Sequence, residues 1–202
     1  MEKKALIVID VQNDFLPGGA LAVPQGDVIL PAVNDLIAHF DHVILTQDWH
    51  SKGHCSFASS YSEKAPYDTV NLDYGLQVLW PDHCIQGTKG AEFHISLRTE
   101  KAQLILRKGY NPKMDSYSAF FENDQKTPTG LQFYLKAHGF TTLVICGLAT
   151  DFCVGFSALH AVQCGFKVSV ILNACAGIDL NGSLDTILKA MHDNGIELLM
   201  GA

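Results

Sequence analysis

Short runs of apolar and β-branched residues recur along the chain, and amphipathic stretches lie between most of them. The apolar runs predict six strands, at residues 5–10, 42–46, 103–107, 142–146, 167–172 and 196–200. Several of these runs are almost continuously apolar, which is typical of strands that are buried on both faces of a sheet. The alternation of strands with helices predicts an α/β domain with a mainly parallel sheet.

Four amphipathic stretches predict the helices, at residues 27–40, 127–138, 151–163 and 183–193. Asp27 is the predicted N-cap of the first helix and Ser183 that of the fourth, because a short polar side chain can accept a hydrogen bond from the first turn. Thr127-Pro128 predicts the start of the second helix. Gly139 predicts its end.

Residues 49–102 break this alternation, with no convincing strand and only weak helical periodicity. Long segments of this kind inside a compact domain are usually functional. This segment holds both tryptophans and four of the nine histidines, namely His50, His54, His83 and His94. No repeat, low-complexity tract or linker interrupts the chain, so residues 1–202 are predicted to form a single domain.

Composition narrows the classes of protein that fit. With 202 residues, of which 48% are hydrophobic, the chain can bury a sizeable core. Its 14 basic and 21 acidic residues are scattered, which argues against a nucleic-acid surface. No apolar run approaches the roughly 18 residues that span a bilayer, and we expect a cytoplasmic protein without a membrane partner. The six cysteines form no C-x-x-C pair, which favours reduced thiols.

Reactive side chains follow the predicted strands where they end, which is where open α/β sheets bind ligands. Asp10 ends the first strand, Lys108 follows the third, and Cys153 lies near the start of the third helix. A charge at the end of an apolar strand needs a partner, so Asp10 and Lys108 are predicted to meet over Cys153. The carboxylate can then take the thiol proton, while the ammonium and the helix N-terminus favour a thiolate. Plainer alternatives are a salt bridge that only joins two strand ends and a cysteine packed into the core.

A second candidate cluster lies after the second strand. Asp48 and His50 are two residues apart in extended chain, which sends both side chains to the same side. A third ligand from the following loop, His83 or His54, would complete a site for zinc, iron or manganese with open coordination positions. The alternative is an ordinary surface turn.

These residues belong to motifs that resemble those of the isochorismatase-like cysteine hydrolases, and of the nicotinamidases among them. The motifs occur in the order of that family and extend over essentially the whole chain, as LIVIDVQNDF at 6–15, TQDWH at 46–50, WPDHC at 80–84, KG at 108–109 and GLATDFCV at 147–154. The resemblance implies a six-stranded parallel sheet with helices on both faces. It also implies a cis peptide between Leu148 and Ala149.

The same resemblance implies a role for each candidate residue. Asp10, Lys108 and Cys153 would form a catalytic triad, with the amides of Ala149 and Cys153 as the oxyanion hole. Asp48, His50 and His83 would hold one divalent metal ion per chain, zinc in the first place or iron or manganese, with His54 either as a further ligand or as their neighbour. The ring of the substrate would lie against four residues, Phe15, Leu21, Trp80 and Tyr117.

The implied reaction is the hydrolysis of nicotinamide to nicotinate and ammonia through a cysteine thioester, with pyrazinamide as a second substrate. Amidohydrolases of the same superfamily that act on N-carbamoyl or ureido compounds share the triad but generally lack the metal set, and isochorismatases lack the cysteine. A dinucleotide-dependent oxidoreductase is disfavoured because no G-x-G-x-x-G follows the first strand. A metal-binding or redox-sensing protein without turnover is a further alternative. The resemblance leaves open whether the chain forms a homo-oligomer.

Overall fold

The computed structural model describes residues 2–201 and contains a six-stranded parallel sheet. Its strands lie in the order β5-β2-β1-β6-β7-β8. They are β1 (Lys4–Ile9), β2 (Val43–Asp48), β5 (Ala102–Lys108), β6 (Thr142–Leu148), β7 (Lys167–Ala176) and β8 (Glu197–Leu199). The prediction of a parallel six-stranded α/β sheet is therefore confirmed.

The sheet is buried on both faces because successive side chains of its central strands enter two different cores. In β1, Leu6 and Val8 pack into one core, while Ile7 and Ile9 pack into the other. Every residue of β2 and β6 is buried, as their continuous apolar sequences predict. The edge strand β5 alternates between exposed and half-buried positions until it reaches Lys108.

Helices cover both faces, as expected. Helix α1 (Leu30–His39) packs into the core of Leu6, and three helices pack into the core of Ile7: α2 (Leu131–Ala137), α3 (Gly155–Gln163) and α4 (Ser183–Asp193). Within residues 2–201, none of the helices combines the length and the apolar character needed to cross a bilayer.

The predicted starts of all four helices are corrected. Asp27 is no N-cap, because Gly26–Ile29 form a 3-10 turn that leads into α1. Helix α2 begins at Leu131 rather than Thr127, since Gly130 adopts a left-handed conformation with φ of 103° just before it. Ser183 is the first residue of α4 and not its cap.

Residues 150–154 form a single π-helical turn before α3, so the regular third helix begins at Gly155 rather than at 151. Wider turns of this kind occur often at functional sites. Cys153 lies within it.

The prediction that residues 49–102 hold no strand is wrong. Strands β3 (Thr69–Leu72) and β4 (Gly75–Val78) form an antiparallel hairpin in which Thr69 pairs with Val78. Each strand has only four residues, which is short for a strand signal, although Thr69-Val70-Asn71-Leu72 does alternate polar and apolar positions. Of the eight residues only Gln77 is buried.

Gly147 allows β6 to lie close to β1. Its φ is +118°, and a Cβ atom there would lie 2.1 Å from the carbonyl oxygen of its partner Ile9 and 2.7 Å from the Ile9 nitrogen. Both atoms belong to the backbone of the central strand, so shifting them would disturb the sheet. The close approach of these strands therefore requires glycine at this position.

We predict that Gly147→Ala destabilises the protein by about 3 kcal/mol or more, because it combines backbone strain with a backbone clash. The matched control is Gly130→Ala, which has a similar φ of +103° but no atom within 4 Å of the added Cβ. It should cost only about 1 kcal/mol. Urea unfolding of the two variants measures both values, and equal losses would show that strain alone, and not the contact with β1, requires glycine.

Candidate active site

The ends of three neighbouring strands and one turn meet at the carboxyl edge of the sheet. Asp10 follows β1, Asp48 ends β2 and Lys108 ends β5, where Asp48 and Lys108 are direct partners in the strand register. Cys153 comes from the π-helical turn after β6, which neighbours β1 on the other side. The parallel topology thus brings together the residues that the sequence predicted to meet.

Lys108 is the centre of this cluster, and only 1% of its surface is exposed. Its Nζ lies 2.8 Å from Oδ2 of Asp10, 2.6 Å from Oδ1 of Asp48 and 3.4 Å from Sγ of Cys153. It also donates to the Ser116 carbonyl at 2.9 Å. Burial opposes the charge on Lys108, but Asp10 and Asp48 outweigh it and hold its pKa well above the ordinary value. The ammonium is therefore permanent at neutral pH.

Asp10 is fully buried and is fixed by a residue that the sequence analysis did not consider. Thr46, at the middle of β2, donates its hydroxyl to Oδ1 of Asp10 at 2.6 Å and accepts the Asp10 amide at 3.2 Å. Although Lys108 lies close to Oδ2, that oxygen makes no hydrogen bond of regular geometry with the described residues. Burial raises the pKa of Asp10, against the opposing effect of Lys108. One carboxylate oxygen is thus held by Thr46 while the other is available to accept a proton.

Cys153 is buried, and its surroundings oppose the thiolate that its position near the helix N-terminus favours. Burial raises the pKa of its thiol well above the ordinary value, and Lys108 lowers it too little to compensate, partly because Asp10 opposes ionisation. Oxygen atoms of Asp10 and Asp48 and the Cys153 sulfur all lie within 4.8 Å of one another. The thiol therefore keeps its proton until a base removes it, and Asp10 is the base in reach.

The turn that carries Cys153 begins at Ala149. The peptide between Leu148 and Ala149 is cis, as the resemblance implies. The Ala149 carbonyl accepts the amides of Phe152 and Val154, each at 3.1 Å, which closes the turn. Ala149 and Cys153 both line one cleft. That the amides of Ala149 and Cys153 form the oxyanion hole remains a prediction.

Asp48, His50 and His83 converge beside this cluster. Oδ2 of Asp48 lies 3.4 Å from Nε2 of His50 and 3.7 Å from Nε2 of His83. Lys108 lowers the pKa of Asp48 well below the ordinary value, and His50 acts in the same direction, although burial alone would raise it. Asp48 in turn raises the pKa of His50 against the effect of burial. This pocket therefore favours positive charge.

The Nδ1 atoms of His50 and His83 make hydrogen bonds away from Asp48, which leaves the Nε2 atoms facing it. Nδ1 of His50 donates to the Gly109 carbonyl at 2.8 Å, and Nδ1 of His83 donates to the Pro81 carbonyl at 2.8 Å. When the rings are neutral, both Nε2 atoms are acceptors that face a carboxylate oxygen, an unfavourable arrangement that a proton or a metal cation between them relieves. Ligands about 2.0–2.1 Å from a tetrahedral zinc ion lie about 3.3 Å apart, close to the observed separations. The three residues thus fit a divalent ion, and backbone carbonyls orient two of them.

His54 lies beside this set with both ring nitrogens in use. Its Nε2 donates to the Asn111 carbonyl at 2.7 Å, so Nδ1 is an acceptor and receives the Ser56 hydroxyl at 2.8 Å. Burial lowers the pKa of His54, as does the neighbouring His50. The ring packs on that of His50, with centroids 4.4 Å apart. In this arrangement His54 offers no free lone pair to an ion.

A narrow cleft opens over Cys153 and encloses about 320 Å³ of space including its mouth. All four residues predicted to bind the ring line it, and sequence analysis missed Phe152, Ile178 and Asp115. The lining residues are Phe15, Leu21, Asp48, Trp80, His83, Asp115, Tyr117, Ala149, Phe152, Cys153 and Ile178. Trp80 meets Phe152 edge to face with centroids 4.8 Å apart, so aromatic rings form part of the mainly apolar lining beside the sulfur.

Asp115 brings a further buried carboxylate to this cleft. Its Oδ1 lies 3.9 Å from Nε2 of His50, and its Oδ2 accepts a hydrogen bond of 3.2 Å from Gln77. Gln77 also donates to the Tyr117 hydroxyl at 2.9 Å, and Trp80 donates to the same oxygen at 3.2 Å. Gln77 of strand β4 thus positions two residues that line the cleft, Asp115 and Tyr117. Neither Asp115 nor Gln77 belongs to a motif or a strand end of the main sheet, so no signal in the sequence pointed to them.

Comparison with known proteins agrees with this geometry. The nicotinamidase of Acinetobacter baylyi is 52% identical over 193 residues, which cover 96% of this chain and 90% of that protein. A solved structure described as the nicotinamidase and pyrazinamidase of Acinetobacter baumanii matches with a TM-score of 0.97 at 53% identity, covering 98% of this chain and 96% of the other. The pyrazinamidase of Pyrococcus horikoshii, solved in complex with zinc, matches with a TM-score of 0.78 at 36% identity, covering 97% and 98%.

The family model of the isochorismatase domain covers residues 4–201, which is nearly the whole chain. Its extent coincides with the six-stranded sheet, its helices and the cluster at the sheet edge. The resemblance that the motifs indicated is therefore confirmed, and the chain belongs to the isochorismatase family.

Proposed function

We propose that this protein is a nicotinamidase, which hydrolyses nicotinamide to nicotinate and ammonia. The observation that carries the proposal is the buried Lys108 ammonium, which contacts Asp10, Asp48 and Cys153, where Asp48 and Cys153 line a mainly apolar cleft. A carboxylate, a cation and a thiol at one point are the groups that nucleophilic cleavage of an amide requires. The nicotinamidase of Acinetobacter baylyi, half identical to this chain, supports the choice of amide.

In the first half of the reaction, Asp10 takes the proton of the Cys153 thiol as the sulfur attacks the carboxamide carbon. The amides of Ala149 and Cys153 donate hydrogen bonds to the resulting oxyanion. The proton held by Asp10 passes to the nitrogen, the carbon–nitrogen bond breaks, and ammonia leaves a nicotinoyl thioester on Cys153. Lys108 keeps Asp10 ionised at the start of this sequence and stabilises the thiolate as it forms.

In the second half, Asp10 accepts a proton from a water molecule, whose oxygen attacks the thioester carbonyl. The carbon–sulfur bond then breaks and the proton returns from Asp10 to the sulfur. Nicotinic acid leaves and loses its carboxyl proton to solvent as nicotinate. Asp10 thus acts in turn as base, acid, base and acid, and the site ends each cycle in the state in which it began.

Asp48, His50 and His83 would hold one divalent ion, and zinc is our first choice because two imidazoles and a carboxylate suit it. When bound, the ion would hold the ring nitrogen of the substrate, directly or through water. His54 would support the ring of His50 instead of binding the ion. Phe15, Leu21, Trp80 and Tyr117 would enclose the ring. Fixing the ring would set the carboxamide beside Cys153 and so lower the entropic part of the barrier.

Pyrazinamide should also be a substrate, since it has the same carboxamide on a ring of nearly the same shape. The alternative of an N-carbamoyl or ureido substrate is not favoured, because an apolar slot and a metal set have no evident use for such compounds.

We also propose a cytoplasmic location and place the enzyme in nicotinamide recycling. The six cysteines are free thiols, as a reducing compartment would keep them.

We predict that Cys153→Ala lowers the rate of ammonia release from nicotinamide by at least about a thousandfold, because the nucleophile is lost. The matched control is Cys164→Ala, at the other end of α3, which should keep the rate within about twofold of the original. An ammonia assay with saturating nicotinamide measures both. Near-normal release by the Cys153 variant would refute the thioester mechanism.

We predict that Gly109→Ala weakens metal binding about tenfold to a hundredfold, as is typical when the support of a ligand is disturbed. The φ of Gly109 is +66°, and an added Cβ would lie 2.5 Å from Cε1 of His50, which must then shift. Gly139→Ala is the matched control, because its φ is +73° and no atom lies within 4 Å of the added Cβ.

Competition with a fluorescent zinc chelator gives the zinc affinity of both variants and of the parent protein. We expect the control to bind like the parent. Removing the ion from the parent by chelation should abolish turnover, and added zinc should restore it. Equal affinities in the two glycine variants would show that His50 is not a ligand.

A further inference from the structure

Asp151 lies two residues before Cys153, and its side chain is 3% exposed. Its carboxylate makes its hydrogen bonds to another part of the chain, the loop between β7 and α4. Oδ1 accepts the amide of Ile178 at 2.9 Å, and Oδ2 accepts the amide of Asp179 at 2.8 Å and the hydroxyl of Ser183 at 2.5 Å. One buried side chain thus joins the turn of the nucleophile to this loop.

The loop contains one short 3-10 turn, Leu180–Gly182, and the backbone of Asn181 within it is not helical. Asp179 and Asn181 both have left-handed backbone conformations, with φ of 57° and 53°, and Gly182 follows with φ of 81°. Such conformations are unfavourable for residues other than glycine and persist only where the surroundings hold them. Asp151 supplies three acceptor contacts at the two ends of this stretch.

The loop contributes a wall of the cleft. Ile178, whose amide binds Asp151, lines the same cleft as Cys153, Phe152 and Trp80. Asp151 therefore connects the turn that carries the reacting sulfur to the residue whose side chain would press on the substrate ring.

We infer that Asp151 is a positioning residue for the proposed hydrolysis of nicotinamide, on which this inference rests. Asp151 holds Ile178 at a fixed position relative to Cys153, so that Ile178 packs against the substrate ring. The hydroxyl of Ser183 completes the support. Asp151 does not touch the reacting atoms; it acts by setting the position of Ile178.

The carboxylate has a specific advantage in this position. All three of its partners are donors, and a carboxylate offers only acceptor oxygens. An asparagine has the same shape but turns an NH₂ group toward either the Ile178 amide or the pair of Asp179 and Ser183. Asp151→Asn therefore releases one side of the loop with little loss of volume. Asp185→Asn makes the same chemical change at an exposed site on α4 and serves as the matched control.

The test uses the metal-loaded protein and compares Asp151→Asn, Ile178→Ala, the double variant and the control, with KM and kcat for nicotinamide. We expect Asp151→Asn and Ile178→Ala each to raise KM about tenfold, a typical value for lost contacts in an apolar pocket. If Asp151 acts through Ile178, the double variant should match Ile178→Ala within about twofold, since neighbours that act as a unit are not additive. The control should leave both constants unchanged.

If the KM effects of the two single substitutions multiplied, the double variant would show a hundredfold rise of KM, and this result would overturn the inference. An unchanged KM in Asp151→Asn would also overturn it. Amide hydrogen exchange at Ile178 and Asp179 gives a second measurement that does not need turnover. We expect exchange at one of these two amides, the one that the NH₂ group faces, to be at least tenfold faster in Asp151→Asn, with neither amide changed in the control. Unchanged exchange would overturn the inference even if the parent protein did not act on nicotinamide, whereas absent turnover by the parent protein would refute only the proposed function.

Discussion

A fully buried ammonium group is the constraint on which the rest of the structure depends. Moving an isolated charge into a protein interior costs several kcal/mol, and the cost is offset only by close opposite charges and hydrogen bonds. Lys108 has these in Asp10, Asp48 and the Ser116 carbonyl. Removing one carboxylate from such a cluster costs about 3–5 kcal/mol, because a buried charge is left uncompensated. The ends of three neighbouring strands must therefore stay together, and Cys153 is held against them.

Asp48 joins the two halves of the site because each of its oxygens has a different task. Oδ1 contacts Lys108 in the cluster of Cys153, and Oδ2 faces His50 and His83. Lys108 keeps the pKa of this carboxyl well below its ordinary value, so it is ionised for both tasks. The proposed chemistry and the proposed binding of the ring are thus coupled through one side chain, although they use separate residues.

The sequence was sufficient to predict the main sheet and the meeting of the strand ends, for a physical reason. Parallel strands that are buried on both faces are continuous apolar runs, and their carboxyl ends lie at one edge. The meeting of Asp10 and Lys108 could therefore be predicted from the sequence, whereas the contact of Lys108 with Asp48, a residue that the sequence placed only in the metal cluster, could not. The motifs around them led to the family, which the comparison with known proteins confirmed.

Other features depend on the three-dimensional surroundings, which a local pattern does not contain. Burial raises the pKa of the Cys153 thiol, whereas its position near a helix N-terminus indicates the opposite effect. The hairpin of β3 and β4 is short, and its one buried residue, Gln77, is polar. Asp115 comes from a segment without regular structure, and the contacts of His54 are made with residues that are distant or lack any motif. Long-range hydrogen bonds of this kind were not readable from spacing.

In the proposed mechanism, one thioester on Cys153 lies on the path to nicotinate. Its most direct test is the partition of that intermediate between water and hydroxylamine, which yield nicotinate and the hydroxamate. If a common nicotinoyl enzyme forms, nicotinamide and methyl nicotinate must give the same ratio of the two products at each hydroxylamine concentration, whatever their rates. A ratio that differs between the two substrates, or the absence of hydroxamate from nicotinamide, would contradict the account.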